Sequence, residues 1–417
     1  MRFLSGALAV RVFLCFASAY FLSYAFRSIN AVIAPALMDD VGLSAADLGL
    51  LSSAYFLTFA ALQLPLGIWL DKYGPRRTET ALLIFAAAGA ALFAASDSLS
   101  GLWLGRALIG IGVSACLMAP YKAYRLWFAP ERQAQLASWM LVAGTSGALA
   151  STVPVNAALP SIGWRGVFWI MSGMILLCAT AIFFLLRKVE ITHPAPQAPA
   201  NTGAKVEAPG YRQVFRHPYF RRVAVLGVIN HGSFIALQTL WAGPWMNTVL
   251  GMDKNQTAQI LFIFNLCLML TYLCLAWWAP RKVSQDGSRG WPVIRAIIVG
   301  LIGTVLTQVA IVFVTAPWAW MLWLPFAFFV TVTTLVQTSV SLSFPSALAG
   351  RANSAFNFLL FVGAFIMQWG IGLLIDLLQA MGASPPDAMR GAFGICLLCQ
   401  VATLAGFIAN RAQPQQA

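Results

Sequence analysis

The chain has 417 residues, 60% of them hydrophobic and only 9% charged, with a formal net charge of +13. A soluble domain carries roughly 25% charged residues, so a cytosolic enzyme, a disordered chain and a disulfide-stapled secreted domain are all excluded. The apolar runs are continuous and about twice the ~10-residue alternating segments of an outer-membrane barrel, which leaves a polytopic helical membrane protein.

A helix that crosses a bilayer uses about 20 apolar residues. On that measure twelve spans are predicted, at roughly 12–38, 48–70, 78–96, 102–124, 134–156, 166–187, 222–246, 257–280, 293–314, 319–343, 353–378 and 389–410. The longest polar stretch, 188–221, holds Pro194, Pro196, Pro199 and Pro209 and reads as a cytoplasmic linker. It divides the chain into a six-helix bundle over 1–187 and another over 222–417. The basic, aromatic tail of the linker, Tyr211 to Arg222, is expected to lie along the membrane surface. No cleavable signal peptide is expected, because Arg2 and Arg11 precede an apolar run without a small-residue cleavage site.

Positive residues gather on the cytoplasmic side of inner-membrane proteins. With the N-terminus inside, 21 of the 26 lysines and arginines fall on the cytoplasmic side or at a cytoplasmic helix end. Arg165, Lys254 and Arg390 fall outside; Arg27 and Arg106 lie within spans. Both termini are therefore expected to be cytoplasmic, in a bacterial inner membrane. The acids fall at helix ends too, with Asp39, Asp40, Asp97 and Asp376 outside and Asp71, Glu79 and Glu190 inside. No buried carboxylate is expected.

Span one supplies the main functional clue. Arg27 lies 16 residues beyond Arg11, about 24 Å along a helix. A cation at that depth costs about 2.5–3.5 kcal/mol on insertion scales and usually marks function. Tyr20, Ser23, Tyr24 and Asn30 share its helical face, a polar stripe suited to a cavity wall. A structural arginine bonded to neighbouring carbonyls is the alternative; the missing acid partner favours the cavity. Span two offers a further face, Ser52, Tyr55, Phe59 and Gln63.

After span two the chain reads Gly67-Ile-Trp-Leu-Asp71-Lys72-Tyr-Gly74-Pro-Arg76-Arg77. Gly67 would let helices approach closely, Asp71 can cap a helix or pair with a cation, and Gly74 permits a tight turn. The loop resembles the signature G-x-x-x-D-[RK]-x-G-[RK]-[RK] of the major facilitator superfamily. Span four adds Arg106-x-x-x-Gly110-x-Gly112, and span six begins Gly163-Trp164-Arg165-Gly-Val-Phe168-Trp169, both similar to superfamily patterns. The resemblance implies an all-α membrane protein of twelve transmembrane helices in two pseudo-symmetric six-helix bundles. It also implies a secondary transporter working by alternating access. Gly67, Asp71, Lys72, Gly74, Arg76 and Arg77 would then form a conformational gate. A shift of 209 residues aligns Gly67–Lys72 with Ala276–Arg281, where the Gly and Asp are lost, so an asymmetric inner gate is expected.

Tyr24-x-x-Arg27-x-x-Asn30 is similar to the first-helix pattern of organic-anion branches of that superfamily. Organophosphate antiporters carry Y-x-x-R-x-N and anion:cation symporters Y-x-D-R-x-N, with the arginine clamping phosphate or carboxylate. A guanidinium fork suits two anion oxygens. Here the Asn comes one residue later, Phe26 replaces the symporter acid, and no acid lies between Gly110 and Lys122. Arg106 is open to two readings, proton coupling through its field or snorkelling to the outer interface. Lys122 has two readings, a substrate contact or snorkelling inward.

In span seven, His231, Gln238 and Trp241 are spaced by seven and three and so share one helical face. His231 is the one histidine inside a span and titrates near neutral pH. It is either a proton carrier or a neutral imidazole bonded to a helix carbonyl. Span eleven contributes Asn357 as a cavity residue, with Asn353 as a helix cap and Phe361 and Gln368 further along.

Enzyme chemistry is not expected. There is no phosphate-cradling loop, no metal-spaced cluster and no cofactor signature, and the seven cysteines lie in apolar runs, Cys396-x-x-Cys399 included. No nucleic-acid partner is expected, and the carrier is taken as a monomer in the lipid bilayer. The expected function is transport of a small organic anion, a carboxylate or a phosphorylated metabolite, by proton symport or anion exchange. Arg27, Tyr24, Asn30, Tyr55, His231, Gln238, Trp241 and Asn357 would bind it, with His231 and Arg106 as proton-coupling candidates. The alternative is a multidrug or metabolite/proton antiporter. Such exporters carry G-x-x-x-G-P-x-x-G-G on helix five, and the Gly144-to-Pro154 stretch lacks its Gly-Pro core.

Overall fold

Apolar runs of membrane length become helices, and polar caps decide where they begin. Ser44 accepts from the Asp47 amide and Asp47 from the Ser44 amide, so a capping box starts span two. Asp253 and Gln256 repeat the device at span eight, and Ser98 caps span four. The computed structural model describes residues 3–192, 211–284 and 290–409. Among these, ten helices are long and apolar enough to cross a membrane.

Two bends turn ten into twelve. Ala45–Ala95 is broken at Gly74, with φ of 78°, and so holds spans two and three. Val153–Thr192 is broken at Gly163, with φ of 65°. Its first part continues Gln133–Ala150 as span five, and its second part is span six. A positive φ at these corners is the left-handed region that favours glycine. The remaining spans are Gly6–Ser28 with Asn30–Val41, Leu99–Val113 with Met118–Trp127, and Pro218–Thr248. Lys254–Lys282, Val293–Phe313, Ala319–Leu342, Ser346–Ala380 and Pro385–Ala409 complete the set.

Of the expected linker, 193–210 lies outside the described residues. Span six runs helically to Thr192, and Tyr211–Arg216 forms a short helix whose Val214 is buried.

At the end that carries Asp40, Asp97 and Asp376, the two halves of the chain meet backbone to backbone. A Cβ on Gly243 of span seven would lie 1.8 Å from the Ala31 carbonyl oxygen of span one. One on Gly49 would lie 2.7 Å from the Gln368 carbonyl, and one on Gly372 2.4 Å from that of Ala45. Only glycine allows such approach. Asp376 of span eleven completes the seal by accepting from the Ala45 and Ala46 amides at 3.1 and 2.9 Å, capping span two across the interface. Away from this seal the halves diverge around a cavity.

Candidate functional site

The cavity has a volume of about 390 Å³ and is walled by both halves of the chain. That volume lies within the few-hundred-Å³ range of small-molecule sites. Arg27 is on its wall with Tyr24, and spans seven and eleven supply His231, Gln238 and Asn357.

Arg27 sits in a collar of four rings. Its guanidinium carbon is 4.6 Å from the centre of Tyr24, 5.2 Å from Phe361, 5.6 Å from Phe59 and 6.0 Å from Tyr55. Ring faces attract a cation and shield it from lipid. They do not neutralise it, and no carboxylate pairs with Arg27 among the described residues. Its Nε has no hydrogen-bond partner. The alternative of a structural arginine bonded to neighbouring carbonyls is not what the geometry gives.

The neutral polar residues of the walls are tied to neighbouring side chains and backbone. Asn357 donates to Gln63 Oε1 at 3.1 Å, joining spans eleven and two, and Gln63 in turn donates to the Phe59 carbonyl at 3.3 Å. Gln238 donates to Asn265 Oδ1 at 3.1 Å. Among the described residues no hydrogen bond engages the His231 imidazole, so the carbonyl-bonded alternative has no support there.

Three expected site residues lie off the cavity wall. Asn30 is expected one turn after Arg27, and the backbone keeps helical angles through Ile29, with φ of −60° and ψ of −30°. Asn30 nonetheless donates to Ser52 Oγ at 2.7 Å, buried against span two. Trp241 was placed on the face of His231 and Gln238, but Gly227–His231 and Leu237–Trp241 are π-helical turns. A π turn holds more residues than an α turn and shifts the face. The Trp241 indole instead donates to the Gln368 carbonyl at 3.0 Å, behind the seal. Tyr55 stands behind Arg27 as a collar ring, its hydroxyl donating to the Ser23 carbonyl at 3.3 Å.

Arg106 does not snorkel. It is 1% exposed, its guanidinium lies 4.8 and 5.0 Å from the rings of Phe93 and Phe168, and Nη1 donates to the Phe26 carbonyl at 2.8 Å. That carbonyl precedes Arg27, so one buried arginine holds the backbone of the other.

The signature loop lies beyond the open end. Lys122 is engaged by Asp71 at 2.6 Å, and Arg76 Nε donates to Glu190 at 2.6 Å. Lys72 lies over the Tyr73 ring, and Arg77 is exposed. Gly67 meets nothing within 4 Å, which corrects the expected close helix approach at that position. Glu79 corrects the expectation of no buried acid: it is 0% exposed and neither carboxylate oxygen has a partner.

Sequence reasoning passed over Ser114, Thr145, Tyr272 and Gln337, which also face the cavity. Their signal was available, as isolated hydroxyls and amides in otherwise apolar runs, but an uncharged polar residue is cheap enough in a membrane to need no functional explanation.

A family model described as Major Facilitator Superfamily matches residues 16–368. The protein named "Probable L-galactonate transporter" of Escherichia coli (strain K12) is 26% identical over 262 residues, covering 60% of this chain and 57% of that one. "Probable sulfoacetate transporter SauU" of Cupriavidus necator is 24% identical over 254 residues, 57% of each chain. The chain thus spans less than two thirds of the length of these relatives. In three dimensions the chain is similar to a bacterial homolog of the human lysosomal transporter Spinster in an inward-facing, unoccupied conformation. The TM-score is 0.79 at 16% identity, with 97% of both chains covered.

Proposed function

The chain belongs to the Major Facilitator Superfamily and is a transporter rather than an enzyme, and from that premise we propose that it carries a small organic anion bearing one carboxylate or sulfonate. The observation that carries this reading is Arg27, a cation without an acid partner among the described residues, held in an aromatic collar on the wall of the cavity. Arg27 is the one lysine or arginine among the lining residues, and they include no Asp or Glu. One guanidinium matches one unit of negative charge. A phosphate dianion would leave a charge uncompensated in a low-dielectric site, so a carboxylate fits better than a phosphorylated metabolite. Of the two relatives' names, one refers to a galactonate, a monocarboxylate of this class, and the other to a sulfoacetate, which carries a sulfonate and a carboxylate and so supports an organic anion but not the single charge.

In this reading the guanidinium takes two anion oxygens, as its fork geometry favours. The Tyr24 hydroxyl and the amides of Gln238 and Asn357 address the rest of the solute. His231 shares the cavity, and a bound anion and a proton on the imidazole favour each other by charge attraction. Such reciprocal binding is what proton symport needs. With the acids of the sealed end facing outward, the cavity opens to the cytoplasm.

The test is binding of the monoanion L-galactonate to purified protein by thermal stabilisation, with the dianions tartrate and sulfoacetate alongside. L-Galactonate should stabilise the wild type more than either dianion, and Arg27→Gln should weaken that binding by roughly 10–100-fold, about the loss of a charge-assisted pair. Equal binding by both forms removes the clamp.

A further inference from the structure

The sharpest anomaly outside the cavity is Glu79. It lies five residues past the Gly74 bend, inside the first bundle, with 0% exposure and both carboxylate oxygens unpartnered. The groups within electrostatic reach of it are the thiols of Cys15 from span one, Cys116 from span four and Cys178 from span six, and the Tyr124 phenol from span four. None is a cation. Arg76, one turn earlier on the same helix, is committed to Glu190, and Arg77 faces solvent. An ionised carboxylate in such a place costs several kcal/mol even after relaxation, whereas a neutral carboxyl can stay.

A second observation connects this acid to the cavity. Span four is interrupted between Val113 and Met118, and the turn between them has two sides. Ser114 and Leu117 line the cavity, while Cys116 is buried on the side toward Glu79. The turn therefore contributes both to the cavity wall and to the packing on the side of the acid.

We propose that Glu79 is a proton-binding site of the first bundle, neutral in this packing and exchanging its proton with cavity water through the break in span four. The chemistry is a simple acid–base step. A carboxylate oxygen takes a proton from water and later returns it, and no other bond changes. Because the ionised form cannot remain in this packing, loss of the proton favours looser packing that hydrates this corner. Protonation and the packing of the first bundle at its inner end are thereby linked. The link to solute coupling rests on the carrier reading above. The protonation itself does not depend on which anion is carried.

The test uses the full-length protein reconstituted in lipid, without added solute. Infrared spectra of wild type should show the carbonyl band of a neutral, buried carboxyl, and Glu79→Gln should lack it. If Glu79→Gln does not fold, Glu79→Asp serves, because the band must then shift. Amide exchange at residues 76–83 and 113–119, divided by the base-catalysed intrinsic rate at each pH, should show protection that falls from mildly acidic to mildly alkaline pH in wild type, and that fall should be lost in Glu79→Gln. Absence of the band in wild type overturns the proposal. A band accompanied by equal protection at every pH in both proteins overturns the link to packing and leaves Glu79 a packing residue. Neither result bears on the Arg27 clamp, so failure of one reading is distinguishable from failure of the other.

Discussion

The two ends of the interface between the halves are built from different materials. At the sealed end, glycines let main chains touch, and the crossing polar contacts include a helix cap from Asp376 and a hydrogen bond from Asn156 to Asn255. At the other end the charges of the signature loop pair inside the first half, Asp71 with Lys122 and Arg76 with Glu190, while Gly67 meets nothing. Close main-chain packing depends steeply on distance, so it holds one conformation firmly. Both pairs lie within one half and bridge nothing between the halves, so they contribute little to which conformation is adopted. The state of this carrier is therefore written mainly at its sealed end.

That contrast can be broken most forcefully at Gly243. Gly243→Ala puts a methyl where the Ala31 carbonyl already stands, and overpacking of this kind costs about 1–3 kcal/mol. Hydrogen exchange across 31–49 should rise by roughly tenfold or more, whereas Gly67→Ala at the open end should leave it unchanged. Equal responses of the two variants would end the distinction. A smaller effect is expected from Asp376→Ala, which removes a cap worth about 1 kcal/mol from the start of span two. A fall in thermal midpoint, with exchange rising first at residues 45–48, would mark it.

The smallest effect concerns Asp40, in the exposed end beyond the apolar part of span one. A hydrogen bond from Arg165 holds its carboxyl below the usual carboxylate range, with the Trp164 indole also donating to it. A depressed value means that the contact contributes fully above the ordinary carboxylate range, near pH 4. The contribution is lost as pH falls through the lowered value. Thermal stability of Asp40→Asn should therefore depend less on pH below about 4 than that of wild type; parallel curves would show the contact to be idle.

Much of the fold was legible, because a run of about 20 apolar residues has few other fates. The deep cation at Arg27 was legible for the same reason, since charge in hydrocarbon is costly enough to stand out. What could not be read were local shifts of helical phase and of partner. Two π turns interrupt span seven and carry Trp241 off the cavity wall, and the Ser52 hydroxyl takes Asn30 into the packing against span two. Glu79 was hidden by another route. Its place near a helix start implied exposure, but burial depends on the neighbouring spans that cover it, and a single sequence does not display tertiary cover. The seal glycines were equally silent, because a glycine in a membrane helix shows its purpose only when the opposing carbonyl is seen.

The collar around Arg27 is not the property of one half. Tyr24, Tyr55 and Phe59 ride on the first six spans, and Phe361 rides on span eleven. Any movement that parts the halves at this level withdraws one ring and exposes that flank of the guanidinium to water. Under the proposed anion reading, the strength of the cation's hold would then vary with the angle between the halves, so that one arginine would both grip and release the cargo.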